Sequence, residues 1–177
     1  GICNSKLNVG SIRVVVDNKL RNQIKLAISK LKKDITLQEI SKKIGVDYTT
    51  LWKYINKSKA VPLFFLKFIE SFSNQVFFQK DFQFVCGHAR TKVKLPTKIN
   101  HNLAKIVGAI IADGHLKIRD SKRGQHYELV IREEYRSNFL SFKEWFYDVF
   151  GLKLNIKKEK NHYYIYCSNK VIISFLN

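Results

Sequence analysis

The sequence predicts a mixed α and β protein in two parts: a helical N-terminal region, then a region ordered helix, two strands, helix, two strands, helix start. Three observations predict it. From Leu20 to Ile55 apolar residues recur every three or four positions, broken only by capping and turn residues. Past Gly114 the spacing becomes alternating over 115–119 and 126–132, then helical again to Gly151. With 177 residues, 45% hydrophobic and 13% aromatic, the chain can bury one core or two small ones.

Residues 1–18 read as an extended N-terminal segment that holds a short strand over 12–16, Ile-Arg-Val-Val-Val, before Asp17 and Asn18 turn the chain. A helical region follows over 19–85. Leu20, Ile24, Ala27, Ile28 and Leu31 form one apolar helix face. Thr36 and Glu39 have capping-box spacing and open a second helix with Leu37, Ile40 and Ile44 turned inward. Gly45 can take positive φ and end it, Val46 enters the core, and Asp47 can cap a third helix. Three helices joined this tightly suggest a helix-turn-helix unit.

Pro62 can start a fourth helix, from Leu63 to about Phe72, with Phe64, Phe65, Phe68 and Phe72 expected as a core stripe. From Asn74 to Phe84 the alternation of Val76, Phe78, Lys80, Phe82 and Phe84 favours an extended segment. Residues 86–100, with Gly87, Pro96 and basic side chains, read as a linker. The second domain occupies 101–177. It opens on an apolar helix from Asn102 to Ala112, followed by strands 115–119 and 126–132 and a helix from about Tyr135 to Phe150. That last helix turns Phe139, Phe142, Trp145, Phe146 and Val149 inward and ends at Gly151. Strands near 153–158 and 161–167 and a helix from near Asn169 complete the order.

Charge points to the partner. Lys and Arg number 32 against 14 Asp and Glu, a net +18 that attracts polyanions. The excess is spread, with 12 basic against 4 acidic residues over 19–70, 5 against 1 over 71–100 and 13 against 8 over 101–177. Both parts can therefore touch a phosphate backbone. Cys3, Cys86 and Cys167 are odd in number and lack paired metal-ligand spacing, although Cys86 and His88 form a weak pair. They fit a reducing, intracellular, cytoplasmic setting, and no apolar run reaches bilayer length, so no membrane is expected.

Two segments carry chemistry. Gly45–Asn56, Gly-Val-Asp-Tyr-Thr-Thr-Leu-Trp-Lys-Tyr-Ile-Asn, resembles the turn and second helix of helix-turn-helix proteins, especially the headpiece of the lactose-repressor family. The resemblance implies that Tyr48, Thr49 and Lys53 approach base edges and phosphates while Leu51 and Ile55 face inward. The chemistry is sensible in itself, because a helix fits the major groove and Thr49 and Lys53 can bond there. Ser41 and Trp52 depart from the pattern, standing where small residues are common.

Residues 106–114, Ile-Val-Gly-Ala-Ile-Ile-Ala-Asp-Gly, closely resemble the motif of the LAGLIDADG homing endonucleases, including those carried by inteins and introns. Agreement lies in Gly108, Ala112, Asp113 and Gly114 and in the apolar Ile106 and Ile110, while Ile111 replaces the family's first acidic residue. Small Gly108 and Ala112, four apart, let a second helix approach closely, with a carboxylate at the end of the seam.

The resemblance implies a saddle of four-stranded sheets in the major groove and helices paired through Ile106, Gly108, Ala109 and Ala112. It also implies Mg²⁺ or another divalent metal held at Asp113 and Gly114. Glu133 or Glu134 lies where the family places a polar catalytic residue. A single motif copy implies a homodimer joined through the Asn102–Asp113 helix. Alternation puts His115, Lys117, Arg119, His126, Glu128, Val130 and Arg132 on the reading face, with Lys157, Tyr164 and Tyr166 as weaker members. The expected activity is site-specific hydrolysis of double-stranded DNA by an endonuclease or a fragment of an intein or larger nuclease. The alternative is a non-catalytic sequence-specific DNA-binding protein or transcriptional regulator derived from one.

Overall fold

The computed structural model describes residues 12–73, 77, 82–86, 91–121 and 124–177. It is a mixed α+β fold with antiparallel sheets, divided into two compact units, one within 8–87 and the other within 88–177.

In the first unit strand β1 (Ile12–Val15) lies between two antiparallel partners, β2 (Ala60–Pro62) and β3 (Gln83–Cys86). Val14 faces Val61 on one side and Phe84 on the other, and Ile12 and Val14 are fully buried. The predicted strand is thus built into the first unit as its middle strand, a role that sequence alone did not show. Helices α1 (Asn18–Leu31), α2 (Leu37–Ile44), α3 (Tyr48–Asn56) and α4 (Leu63–Ser73) complete the unit.

Local chemistry sets these helices. Asp17 caps α1 by accepting from the Leu20 N–H, and the predicted Leu20, Ile24, Ala27, Ile28 and Leu31 are its buried residues. The Thr36–Glu39 capping box opens α2, and Gly45 ends it in the left-handed region at φ 76°. Ile40 is fully buried, with Leu37 and Ile44 half-buried beside it. Ser41 is buried as well, its hydroxyl donating to the Gln38 carbonyl, so the position is small and satisfied. Asp47 caps α3 through the Thr50 N–H, and Leu51, Tyr54 and Ile55 face the core.

The aromatic stripe of α4 departs from expectation. Phe65 is fully buried with Leu63, Leu66 and Ile69, whereas Phe64 and Phe68 are half-buried and Phe72 is 50% exposed. The outer row is held at the surface: the Phe68 and Phe72 rings lie 4.6 Å apart, and the Lys43 ammonium sits 5.5 Å from the centre of Phe72.

Arg21 fixes the far end of α3. Its guanidinium donates to the carbonyls of Tyr54, Ile55 and Ser58, which close the helix. Arg21→Ala is expected to lower the stability of this unit by about 1.5–3 kcal/mol, and Arg21→Lys to recover only part, since one ammonium cannot reach three carbonyls. Urea unfolding measures both; equal stability for all three proteins would refute the role.

The second unit begins at β4 (Val93–Lys94), whose Val93 is buried with Leu95 and lies against α6. Then come α5 (His101–Asp113), β5 (Gly114–Ser121), β6 (Gly124–Glu133), α6 (Asn138–Phe150), β7 (Ile156–Glu159), β8 (His162–Cys167) and α7 (Lys170–Leu176). This is the predicted order. The four strands run antiparallel in the order β5-β6-β8-β7. Helices α5 and α7 lie on the sheet and α6 packs on α5. Leu103, Ile106, Leu129, Ile131, Ile165, Val171 and Ile172 form the core with Phe139, Phe142, Phe146 and Phe150. Trp145 is only half-buried, because the Lys105 ammonium covers its ring at 4.7 Å.

Candidate functional site: an acidic hollow and two basic faces

Helix α5 is capped at its start by Asn100, which accepts from the Leu103 N–H at 2.8 Å. At its far end the Gly114 N–H still reaches the Ile110 carbonyl while the backbone already runs as strand, at φ −88° and ψ 151°. A Cβ at Gly114 would meet the Ile110 backbone at 2.6 Å, so only glycine lets the chain pass this tightly from helix to strand. The turn leaves Asp113 exposed as the last helical residue.

Asp113 lines an open hollow of about 320 Å³ together with Arg132, Glu133, Glu134 and His162. Strand register assembles it: Gly114 pairs with Ile131, Glu133 with Tyr163 and Glu159 with His162. Both Glu133 and Glu134 therefore reach the same hollow as Asp113. The Asn138 amide donates to Glu133 at 3.0 Å and fixes that carboxylate. His162 is a member that sequence reading missed, because only the β8 pairing brings it there. Carboxylate oxygens are the donors a hard divalent cation prefers. Among the described residues, however, no group of three or more His, Cys, Asp or Glu is gathered closely enough to hold a metal ion. The other weak metal pairing, Cys86 with His88, involves a residue outside those described.

The outer side of α5 is apolar. Ile111 is 80% exposed and Val107 38%, Gly108 and Ala112 are exposed beside them, and Ala109 is half-buried. A Cβ at Gly108 would meet nothing within 4 Å, so this chain's own packing does not require glycine there. Ile106 lies elsewhere: it is fully buried in its own core and does not belong to the exposed stripe.

The sheet surface away from the helices is open and mostly basic. His115, Lys117, Arg119, His126, Arg132 and Lys157 are exposed on it, with Glu128 half-buried. Their alternating partners Tyr127, Leu129 and Ile131 are buried, as the predicted faces require. Pairing of Arg132 with Tyr164, and of Lys157 with Tyr164, extends the surface across β8 to β7. Arg119 and Glu128 form an ion pair at 3.1 Å, so this arginine is partly neutralised and held in place.

In the first unit α3 presents Tyr48, Thr49, Trp52 and Lys53, all exposed. The neighbouring polar groups are engaged: Thr50 bonds Asp47, the Asn56 amide donates to the Trp52 carbonyl, and the Lys57 ammonium sits 5.0 Å from the Trp52 ring centre. The large Trp52 is thereby fixed on the surface where a small residue was the expected pattern.

Capping also tunes acidity. Thr36, through its N–H and then its hydroxyl, holds the Glu39 carboxyl below the usual carboxylate range. Thr50, through its hydroxyl and then its N–H, does the same for Asp47. Both folded-state values are depressed, so the stabilisation is present above the unfolded carboxylate range and disappears as pH falls through the folded values. On acidification below about pH 4 the Glu39 and Thr50 amides are expected to lose exchange protection before those of the buried Ile24 and Ile28 inside α1. Hydrogen exchange checks this, and simultaneous loss in all three helices would contradict it.

Among the described residues no helix is long and apolar enough to cross a membrane. A scan against protein-family models finds no match to this chain, and a search of curated proteins likewise finds no match.

Proposed function

We propose that this chain is one half of a symmetric double-stranded DNA endonuclease of the LAGLIDADG homing type, hydrolysing phosphodiesters with Mg²⁺ or another divalent metal. The observation that carries the reading is the position of Asp113, at the end of an exposed apolar helix face and at the mouth of an acid-lined hollow. Two copies joined along Gly108, Ile111 and Ala112 bring two Asp113 carboxylates together, which supplies the donors that one chain lacks. A divalent cation bound there supplies Lewis-acid stabilisation of the phosphate and a more acidic water. Glu133 and Glu134 orient water in the hollow, and Arg132 offsets phosphate charge.

In this reading the open sheets of the two copies form the saddle that lies in the major groove. His115, Lys117, Arg119, His126, Arg132 and Lys157 then meet bases and phosphates. The α2–turn–α3 segment acts as a second DNA-binding element, a helix-turn-helix with Tyr48, Thr49 and Lys53 at the groove. Its capping box, left-handed Gly45 and inward Leu51 and Ile55 support this reading. A second reading, a DNA-binding regulator without cleavage, rests on the same open basic sheet face and needs no chemistry from Asp113.

Selection of bound sequences from a random duplex pool, followed by incubation of the recovered duplex with protein and Mg²⁺, tests the proposal. The expected result is salt-sensitive binding and a cut on each strand. Specific binding without a cut makes the second reading correct, and no enrichment of any duplex overturns both.

A further inference from the structure

A second hollow, of about 370 Å³, opens at the β7 side of the second unit, and neither catalysis nor pairing uses it. It lies between the segment 152–155 and the end of β8, with Lys153, Asn155, Lys157, Tyr166, Ser168 and Asn169 in its wall. Among its described lining residues there is no carboxylate, while two ammonium groups, hydroxyls and side-chain amides all offer donors. Cys167 also lines it, and burial pushes that thiol up, so no thiolate opposes an anion there. The Asn169 oxygen accepts from the N–H groups of Val171 and Ile172, which leaves its amide nitrogen as the unengaged end of that side chain. Lys153 is steadied by the Tyr147 ring, 5.7 Å from the ammonium to its centre. A wall of this composition offers donors to an anion such as a phosphate group.

The hollow is continuous with the open sheet face, because Lys157 and Tyr166 belong to both. We infer that it is a binding site for a backbone phosphate of the duplex where the DNA leaves the sheet at the β7 edge. Lys153, Asn155 and Ser168 are its specific donors. This inference rests on the proposal that the sheet faces DNA. It adds a contact outside the alternating face residues and extends the footprint beyond the bases they read. Free phosphate and mononucleotides carry the same chemistry, so the test must separate them from duplex.

The test uses the full chain and its selected duplex, with single neutral methylphosphonate linkages placed one at a time through the flanking base pairs. One flanking linkage is expected to weaken wild-type binding by about 10-fold, and the same linkage to cost Lys153→Ala less than about 2-fold. Lys153→Arg, which retains the charge, should keep the wild-type response. The slope of log affinity against log salt should fall by about 0.9 in Lys153→Ala, the loss of one phosphate contact. A parallel arm titrates inorganic phosphate and a mononucleotide while the Ser168 and Asn169 amide resonances are followed. Saturable shifts by either small anion that persist on the duplex complex would assign the hollow to a free ligand and overturn the inference. Equal methylphosphonate responses in wild type and Lys153→Ala would overturn it while leaving DNA binding intact. Failure of wild type to bind duplex would overturn both readings.

Discussion

Asp113→Asn is expected to lower Mg²⁺-dependent strand cleavage by at least about 100-fold, because even outer-shell partners of a metal are worth 10–100-fold and in the proposed enzyme this carboxylate would be a direct ligand. Duplex affinity should hold or rise. Asp113 is exposed and has no capping bond among the described residues, so the isosteric amide leaves helix and strand as they are. It also removes a negative charge from beside DNA phosphates. Glu134→Gln should cost less, and Glu133→Gln should combine loss of a carboxylate with loss of the bond from Asn138. Cleavage and filter-binding assays on one duplex read both quantities. Full cleavage by Asp113→Asn would exclude this carboxylate from the chemistry.

Gly108→Leu is expected to separate folding from assembly. Around Gly108 there is open space within the chain, and leucine is the better helix former, so the isolated chain should gain about 0.5–1 kcal/mol. Across a symmetric seam the same side chain appears twice, and overpacking of about 1–3 kcal/mol at each copy weakens association by roughly 30-fold to more than 10⁴-fold. Ile111→Glu should weaken it too, by placing two desolvated carboxylates where two exposed isoleucines otherwise meet. Sedimentation at several concentrations, with thermal unfolding alongside, distinguishes the effects. Unchanged association in both variants would mean that α5 is not the seam.

What could be read from sequence was what depends on neighbours in the chain. Thr36 with Glu39, Gly45 and Asp47 each act within one helical turn, and their positions correctly marked α2 and α3. The alternation on β5 and β6 likewise identified which side chains share the open face, apart from Val130, which is buried there. Helix α4 was harder, because it is apolar on nearly every side and periodicity could not choose between the row of Phe64, Phe68 and Phe72 and the row of Phe65, Leu66 and Ile69. Only packing decides, and it buries the second row. Strand β1 was visible but its use was not, since β2 and β3 lie far along the chain.

The same limit applied to the site. Asp113 stood out as a lone carboxylate after an apolar helix, and Glu133 or Glu134 was singled out only by the family resemblance, at the end of the second strand. His162 became a neighbour only through β8 register. Ile106 shows the reverse error of a motif: its apolar character serves its own core, while the exposed isoleucine is Ile111, where the family pattern has an acid. The second hollow is lined chiefly by two stretches without any recognisable motif, 152–155 and 166–169, together with Thr91 and Lys157.

In the proposed enzyme two copies of this chain place two Asp113 carboxylates on one duplex. Native mass spectrometry of the chain on its selected duplex, before and after Mg²⁺ addition, measures this directly. The expected result is two 20.7 kDa chains per duplex, followed by cleavage of both strands after Mg²⁺. One chain on the duplex, or a duplex that stays intact with Mg²⁺ present, would contradict it.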